Sequence, residues 1–297
     1  MRFLSDAAVA HLREITELPD LTGTRYDFVR ELGRGGMGVV YEVYDRDLAR
    51  AVAMKVIAVA LREAMEPVAH EARIIAGLEH PGIVPVHDVG TLADGRLYYT
   101  MKLVRGMRLD AWAAQGHART EVLRLFARIC EPVAFAHARG VVHRDLKPEN
   151  VMVGELGAVL VMDWGVARLA DSVDEALIVG TPGYMAPEQA RGEAAGIRAD
   201  VYALGALLAF LLGHQAVPRP LAAIIARARS GDAAARYEDA RALAEDVLRF
   251  LDDAPVSAYR ENAAEHALRW LVRNRVLMGL IGAYIVMRVI VYFWMRL

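Results

Sequence analysis

Six residues, Gly33-Arg34-Gly35-Gly36-Met37-Gly38, stand between two runs of strand-forming residues, Tyr26 to Leu32 before them and Val39, Val40, Tyr41, Val43 and Tyr44 after. The G-x-G-x-x-G spacing is shared by dinucleotide-binding units, but there the glycines lead straight into a helix. Here a β-branched and aromatic run follows, so the glycines join two strands of a hairpin. The bland alternative, a glycine-rich hairpin with no ligand, remains open at this point. The 297 residues are enough for one large domain or two lobes with short extensions. A formal net charge of -2 argues against nucleic acid as an obligate partner. The single cysteine, Cys130, lies in an apolar stretch of helical spacing (Leu125, Phe126, Ile129), so no disulfide forms within the chain, as suits a reducing, cytoplasmic setting. The start has Arg2 but no uninterrupted apolar core before Asp6, so a secretory signal is not expected. Residues 5 to 17 predict a short helix capped by Ser5, with Val9, Leu12 and Ile15 on one side.

The chemistry-bearing residues come in order. Ala51-Val52-Ala53-Met54-Lys55 places a lysine in the strand after the hairpin, and Glu71 lies in the amphipathic stretch Val68 to Ile75. Glu63 and Glu66, before Pro67, compete with Glu71 as the lysine's partner but read better as solvated charges. Residues 143 to 150 are His-Arg-Asp-Leu-Lys-Pro-Glu-Asn, and Asp163-Trp164-Gly165 follows. An acid able to accept a hydroxyl proton (Asp145), a cation (Lys147), an amide oxygen (Asn150) and a second acid (Asp163) are the groups phosphoryl transfer needs around magnesium and a γ-phosphate. Gly180-Thr181-Pro182-Gly183-Tyr184-Met185-Ala186-Pro187-Glu188 closes the series.

Across residues 26 to 251 these motifs resemble a bacterial serine/threonine protein kinase of the eukaryotic-like (Hanks) type. The resemblance implies an α+β, bilobal kinase fold: a β-rich N-lobe (26–104) with one regulatory helix, and a helical C-lobe (105–251). It implies ATP bound by Leu32, Gly33, Gly35, Gly38, Val40, Ala53, Lys55, Met101, Lys102, Val104 and Met152, with Lys102 and Val104 meeting adenine through their backbone. Glycine at 33, 35 and 38 would let backbone amides approach phosphate without a Cβ in the way. It further implies a Lys55–Glu71 ion pair, Asp145 as the catalytic base, Lys147 offsetting charge on the transferred group, and Asn150 and Asp163 holding Mg²⁺, or Mn²⁺ in its place. Ile75, Val86, His143 and Trp164 would stack as a spine anchored by Asp200, and Glu188 would pair with Arg236. Thr181 with Lys147 resembles the serine/threonine branch, and the Ala-Pro-Glu segment speaks against a small-molecule phosphotransferase. The remaining rival is an ATP-binding pseudokinase.

Three departures stand out. Trp164 replaces the usual phenylalanine of the Asp-Phe-Gly turn. Arg144 implies a basic pocket for a phosphorylated activation loop, yet between Gly165 and Gly180 the only hydroxyl is Ser172, flanked by Asp171, Asp174 and Glu175. Those acids are either a partial substitute for phosphate or an acidic surface loop. Asp200 and Arg236 are only 36 positions apart, shorter than the family pattern. The missing part falls after the Leu204 to Leu212 helix and before the closing helices Leu221 to Ala228 and Ala240 to Leu251.

A linker (252–275) then leads to Val276 to Met295, apolar except for Arg288. Twenty helical residues span about 30 Å, a bilayer's hydrocarbon thickness. The apolar side chains contribute about -3 to -6 kcal/mol against roughly +3 for a central arginine. The expectation is a transmembrane anchor, with Arg269, Arg273 and Arg275 placing the kinase on the cytoplasmic side of the inner membrane; a helix packed on a partner or lying flat on the membrane are the alternatives. Protein substrates, the bilayer and a homodimer are the partners compatible with this reading.

Overall fold

The computed structural model describes residues 18–35, 38–57, 77–164, 168–169, 181–262, 265–266, 270 and 274–295. The helix expected at 5–17, Glu71, Ile75 and Ser172 lie outside them. β1 (Tyr26–Gly35), β2 (Gly38–Asp45), β3 (Arg50–Ile57), β4 (Val86–Thr91) and β5 (Leu97–Lys102) form an antiparallel sheet of order β1-β2-β3-β5-β4. The glycine-rich turn joins β1 to β2 as a hairpin, with Gly35 opposite Gly38. One face of this sheet closes on a core of Tyr26, Tyr41, Val43, Met54, Val56 and Tyr98.

Below it the chain becomes helical. β6 (Gly106–Arg108) leads into α1 (Leu109–Ala113) and then α2 (Arg119–His137), which buries Leu123, Phe126, Ile129, Cys130 and Val133 along one stripe. β7 (Val141–Val142) pairs with β10 (Arg168–Leu169), and β8 (Val151–Gly154) lies between β6 and β9 (Val159–Val161). After α3 (Pro187–Ala190), α4 (Ile197–Leu212) is apolar on nearly every side and runs through the core, as a helix without a polar face must. α5 (Arg219–Ala228) and α6 (Ala240–Leu251) pack around it. Only residues 213–218 join α4 to α5, which is where the shortened C-lobe loses its helical region. A cavity of about 500 Å³, lined in part by Glu188, Arg191, Arg198 and Asp232, opens at the N-terminal end of α4.

The two lobes share more than a hinge. Leu78 and Ile83 belong to the lower core, and Ile83 bridges Val161 of β9, whose N–H donates to the Gly82 carbonyl at 2.8 Å. The linker is also less free than a connector: the buried Asp246 carboxylate of α6 accepts from the Ser257 N–H and hydroxyl (both 2.7 Å), the Ala258 N–H (3.1 Å) and the Tyr237 hydroxyl (2.9 Å). That pins residues 256–258 to the C-lobe.

The transmembrane assignment is not upheld. α7 (Arg275–Trp294) is a helix of twenty residues, but among the described residues no helix is long and apolar enough to cross a membrane. Arg288 carries a charge inside the run, and Gly279, Gly282, Tyr284 and Tyr292 dilute its apolarity.

Candidate active site

The site is assembled where β7 ends. Val141 and Val142 are buried, and the next two backbone N–H groups, those of His143 and Arg144, each donate to the Asp200 carboxylate at 2.8 Å. Asp200 sits in the first turn of α4 and is 1% exposed. Its third donor is His137 Nε2 at 3.0 Å; because His137 Nδ1 accepts the Ala240 N–H (3.4 Å), the ring proton is on Nε2. Burial pushes the Asp200 carboxyl up, but the hydrogen bond from His137 and the backbone donors of the catalytic loop outweigh it and hold the group below the usual carboxylate range. This anchoring holds Arg144 at φ 69°, a left-handed conformation that costs a non-glycine residue about 1–2 kcal/mol. The Arg144 carbonyl accepts from Gln189 Nε2 at 2.9 Å, so the segment around Pro187 is tied to the same loop.

Asp145 follows. Its Oδ1 accepts from the Thr181 hydroxyl at 3.0 Å and its Oδ2 from Lys147 Nζ at 2.7 Å, while Lys147 also donates to Thr181 Oγ1 at 2.9 Å. The three side chains close a ring of hydrogen bonds across 36 residues of sequence. A single 3₁₀ turn, Pro148–Asn150, brings Asn150 back beneath Asp145, where its Nδ2 donates to the Asp145 carbonyl at 2.7 Å and to Oδ2 at 3.3 Å. The amide oxygen is then the atom Asn150 can turn towards a cation. Met162 N–H donates to the Asn150 carbonyl at 2.8 Å, which sets the Asp163 turn beside it.

Lys55, on β3 and 6% exposed, forms an ion pair with Asp163 Oδ1. Burial raises the affinity of Asp163 for its proton, but Lys55 above all, with His143 and Lys147, outweighs that and keeps the carboxyl below its usual range. Asp163 is the second non-glycine residue of the site at positive φ, 55°. Trp164 next to it is 2% exposed; its indole N–H donates to the Val161 carbonyl at 3.2 Å and its ring lies 4.6 Å from that of His143. A buried tryptophan needs a partner for its N–H, and it has one. His143 Nε2–H in turn donates to the Met162 carbonyl at 3.0 Å. Val86 packs against the same core.

Among the described residues no cluster of three or more His, Cys, Asp or Glu could hold a metal alone. Asp163 and the Asn150 amide oxygen are two hard oxygen donors, and Mg²⁺ is commonly bound by one or two protein oxygens with phosphates supplying others, so the donor set fits.

Above this floor, Val40 pairs with Lys55 and Ala53 with Met101 across the sheet, and Met152 of β8 lies opposite Arg108 and Leu160. Lys102 ends β5 and Val104 follows it in the segment joining the lobes; Leu32 lies at a slip of register in β1. A Cβ added at Gly33 or Gly35 would meet nothing within 4 Å, so packing does not demand glycine there, as a close-lying ligand would. Gly38 is different: at φ 145° an added Cβ would collide with the Val56 carbonyl, so the sheet itself requires glycine.

Glu188 and Arg236 meet as a bidentate pair at 2.6 and 2.7 Å, and Arg236 also donates to the carbonyls of Ser230 (2.8 Å) and Arg198 (2.9 Å). Burial raises the Glu188 carboxyl and Arg236 more than reverses it. Two supporting residues escaped sequence reasoning, His137 and Gln189. The signal for His137 was a polar ring at the end of an otherwise apolar helical stripe; Gln189, next to Ala-Pro-Glu, gave none.

The protein kinase domain family matches residues 26–249. The serine/threonine-protein kinase PknD of Chlamydia caviae is 32% identical over 294 residues, covering 78% of this chain and 32% of the relative. The PknD of Chlamydia pneumoniae is 33% identical over 294 residues, covering 78% and 31%. That of Chlamydia trachomatis serovar D is 37% identical over 230 residues, covering 62% and 24%. The chain thus spans about a third or less of the length of these curated relatives. With the family match extending over most of the chain and over every motif described above, the chain belongs to the protein kinase family, in its bacterial Hanks-type serine/threonine branch.

Proposed function

We propose that this kinase transfers the γ-phosphate of ATP to serine and threonine hydroxyls of protein substrates, copies of itself included. The observation that carries the reading is the hydrogen-bonded ring of Asp145, Lys147 and Thr181 beside Asn150 and the Lys55–Asp163 pair. Asp145 orients the acceptor hydroxyl and takes its proton as the oxygen attacks, with Thr181 and Lys147 holding its carboxylate in place. Lys147 offsets negative charge on the phosphoryl group in transfer, and Lys55 lies within reach of the α- and β-phosphates. Magnesium, or manganese in its place, supplies charge neutralisation at the phosphates when bound by Asp163 and Asn150. The test is incubation of the full chain with labelled ATP, magnesium and a generic basic protein, beside Asp145→Asn. Transfer by the parent, reduced at least about 100-fold in the variant, is the expected result. Nucleotide-dependent stabilisation without transfer would instead mean a pseudokinase, and labelling of metabolites alone would end the protein-substrate reading.

The proposed location is the cytoplasmic face of the cell membrane, in association with signalling. What supports it is α7, which exposes Leu280 (65%), Ile285, Ile290 and Trp294, begins at Arg275 and follows Arg269 and Arg273 in the sequence. Fractionation that leaves the chain in the soluble pool, with or without residues 276–297, would count against it.

A further inference from the structure

The peptide group in front of the catalytic base is held at both ends. Its carbonyl, that of Arg144, accepts from Gln189 Nε2 at 2.9 Å, and its N–H, that of Asp145, donates to His143 Nδ1 at 3.3 Å. One peptide earlier, the Arg144 N–H donates to Asp200 at 2.8 Å. Arg144 lies at φ 69°, and a left-handed residue stays there only where its surroundings hold it. The plane of the peptide that follows it aims the Cα–Cβ bond of Asp145. Asp200 and His143 are part of the support already described; Gln189 reaches the loop from α3, at the end of the Gly180 to Glu188 stretch.

Gln189 is 6% exposed, and both halves of its amide are engaged. Oε1 accepts from the Ala186 N–H at 3.2 Å, at the start of α3, while Nε2 donates to Arg144. The position needs an acceptor on one side and a donor on the other, which an amide supplies and a carboxylate or an ammonium does not. Glu188, the residue before it, is locked to Arg236, so α3 is fixed to the C-lobe independently of the catalytic loop. The same stretch meets Asp145 at its other end. The Thr181 hydroxyl donates to Asp145 Oδ1 at 3.0 Å, and the Thr181 carbonyl accepts from the N–H groups of Tyr184 and Met185, both at 3.1 Å, turning the chain towards α3. Residues 181–189 thus hold the base twice, its carboxylate through Thr181 and its backbone through Gln189.

We propose that Gln189 is a positioning residue for phosphoryl transfer: it sets the plane of the Arg144–Asp145 peptide, and with it the direction in which Asp145 meets the acceptor hydroxyl. The inference rests on the protein-kinase reading above. Because Gln189 acts through the base, its loss slows the transfer step and leaves the affinity for ATP in place. Misplacing a catalytic group by a fraction of an ångström to an ångström costs about 10- to 100-fold in rate.

The experiment uses the full chain with ATP, magnesium and a generic basic protein. The single-turnover rate of transfer, the KM for ATP and the denaturation midpoint are measured for the parent, Gln189→Met, Gln189→Glu and Gly205→Ala. Gln189→Met keeps the length and offers no donor; its rate falls about 10- to 100-fold while its KM for ATP stays within about twofold of the parent's. Gln189→Glu keeps an acceptor for Ala186 but sets a carboxylate against the Arg144 carbonyl. Its rate relative to the parent's is low at neutral pH and rises as pH falls, because the protonated carboxyl donates where the amide did. Gly205→Ala disturbs the packing of α4 on α5 without touching the loop, and shows what lost stability alone does to the rate. A rate in Gln189→Met within about twofold of the parent's overturns the proposal, as does an effect confined to the KM for ATP. So does a loss that follows the denaturation midpoint alike in Gln189→Met and Gly205→Ala. Should Gln189→Met not fold, Gln189→Glu decides: a relative rate that stays flat with pH overturns the proposal. If the parent transfers nothing, the kinase reading fails first and takes this inference with it.

Discussion

Single residues in this protein divide by what demands them. Gly33 and Gly38 belong to one motif, yet the first faces open space and the second the Val56 carbonyl at positive φ. Gly38→Ala should therefore cost about 1–3 kcal/mol of stability, read as a lower denaturation midpoint. Gly33→Ala should leave the midpoint in place and raise the KM for ATP. Asp200 answers to the fold as well as to the chemistry. An amide in its place has one accepting oxygen and an NH₂ facing donors that need an acceptor, so Asp200→Asn should lose about 2–4 kcal/mol and, because His143 and Arg144 lose their anchor, most of the activity. Thermal unfolding together with single-turnover kinetics checks both effects.

At the scale of elements, the shortened C-lobe is repaired by close approach. With only residues 213–218 between them, α5 turns back directly onto α4, and Gly205 lets it: a Cβ there would lie 2.7 Å from Ala228 Cβ and 2.9 Å from Arg229 Cγ. Gly205→Ala tests this against helix propensity. The substitution gains up to about 1 kcal/mol in an unconstrained helix, but overpacking costs about 1–3. The expected balance is a net loss of about 1 kcal/mol by chemical denaturation; a stabilised variant would show that α4 and α5 have room to separate. Trp164 belongs to this scale too. The sequence places a tryptophan where phenylalanine is usual; the structure gives it a hydrogen bond to Val161 and a face against His143, which let the bigger ring stay buried.

For the molecule as a whole, three buried carboxylates hold distant parts together. Asp200 joins α4 to the catalytic loop, Glu188 joins α3 to Arg236, and Asp246 joins α6 to the linker. All three are held below their ordinary range by hydrogen bonds and charges that outweigh burial. Groups lowered on folding stabilise the protein fully above their unfolded values, near 4, and that stability is lost as pH falls through the folded values. Stability by denaturant titration should be level from neutral pH to about pH 5 and then drop steeply. Asp246→Asn should lower the plateau and flatten the acid slope. An acid limb as steep in that variant as in the parent would exclude Asp246 as a contributor.

The hairpin, the catalytic loop, the metal turn and the short interval from Asp200 to Arg236 were legible in the sequence because each is a local pattern: glycine between strand formers, or acids and amides at fixed spacing on one loop. The kinase chemistry follows from those residues alone. What joins them is non-local. That Asp145 meets Thr181 and that His137 and Ala240 complete the support of Asp200 depend on side chains brought together by helix packing, for which no short-range periodicity exists. Gly38 makes the same point within a motif, since its spacing suggested phosphate and its neighbour turned out to be Val56. The amino-acid order determined which groups do chemistry; tertiary packing decided which of them hold one another, because burial and desolvation exist only once the chain has closed around them.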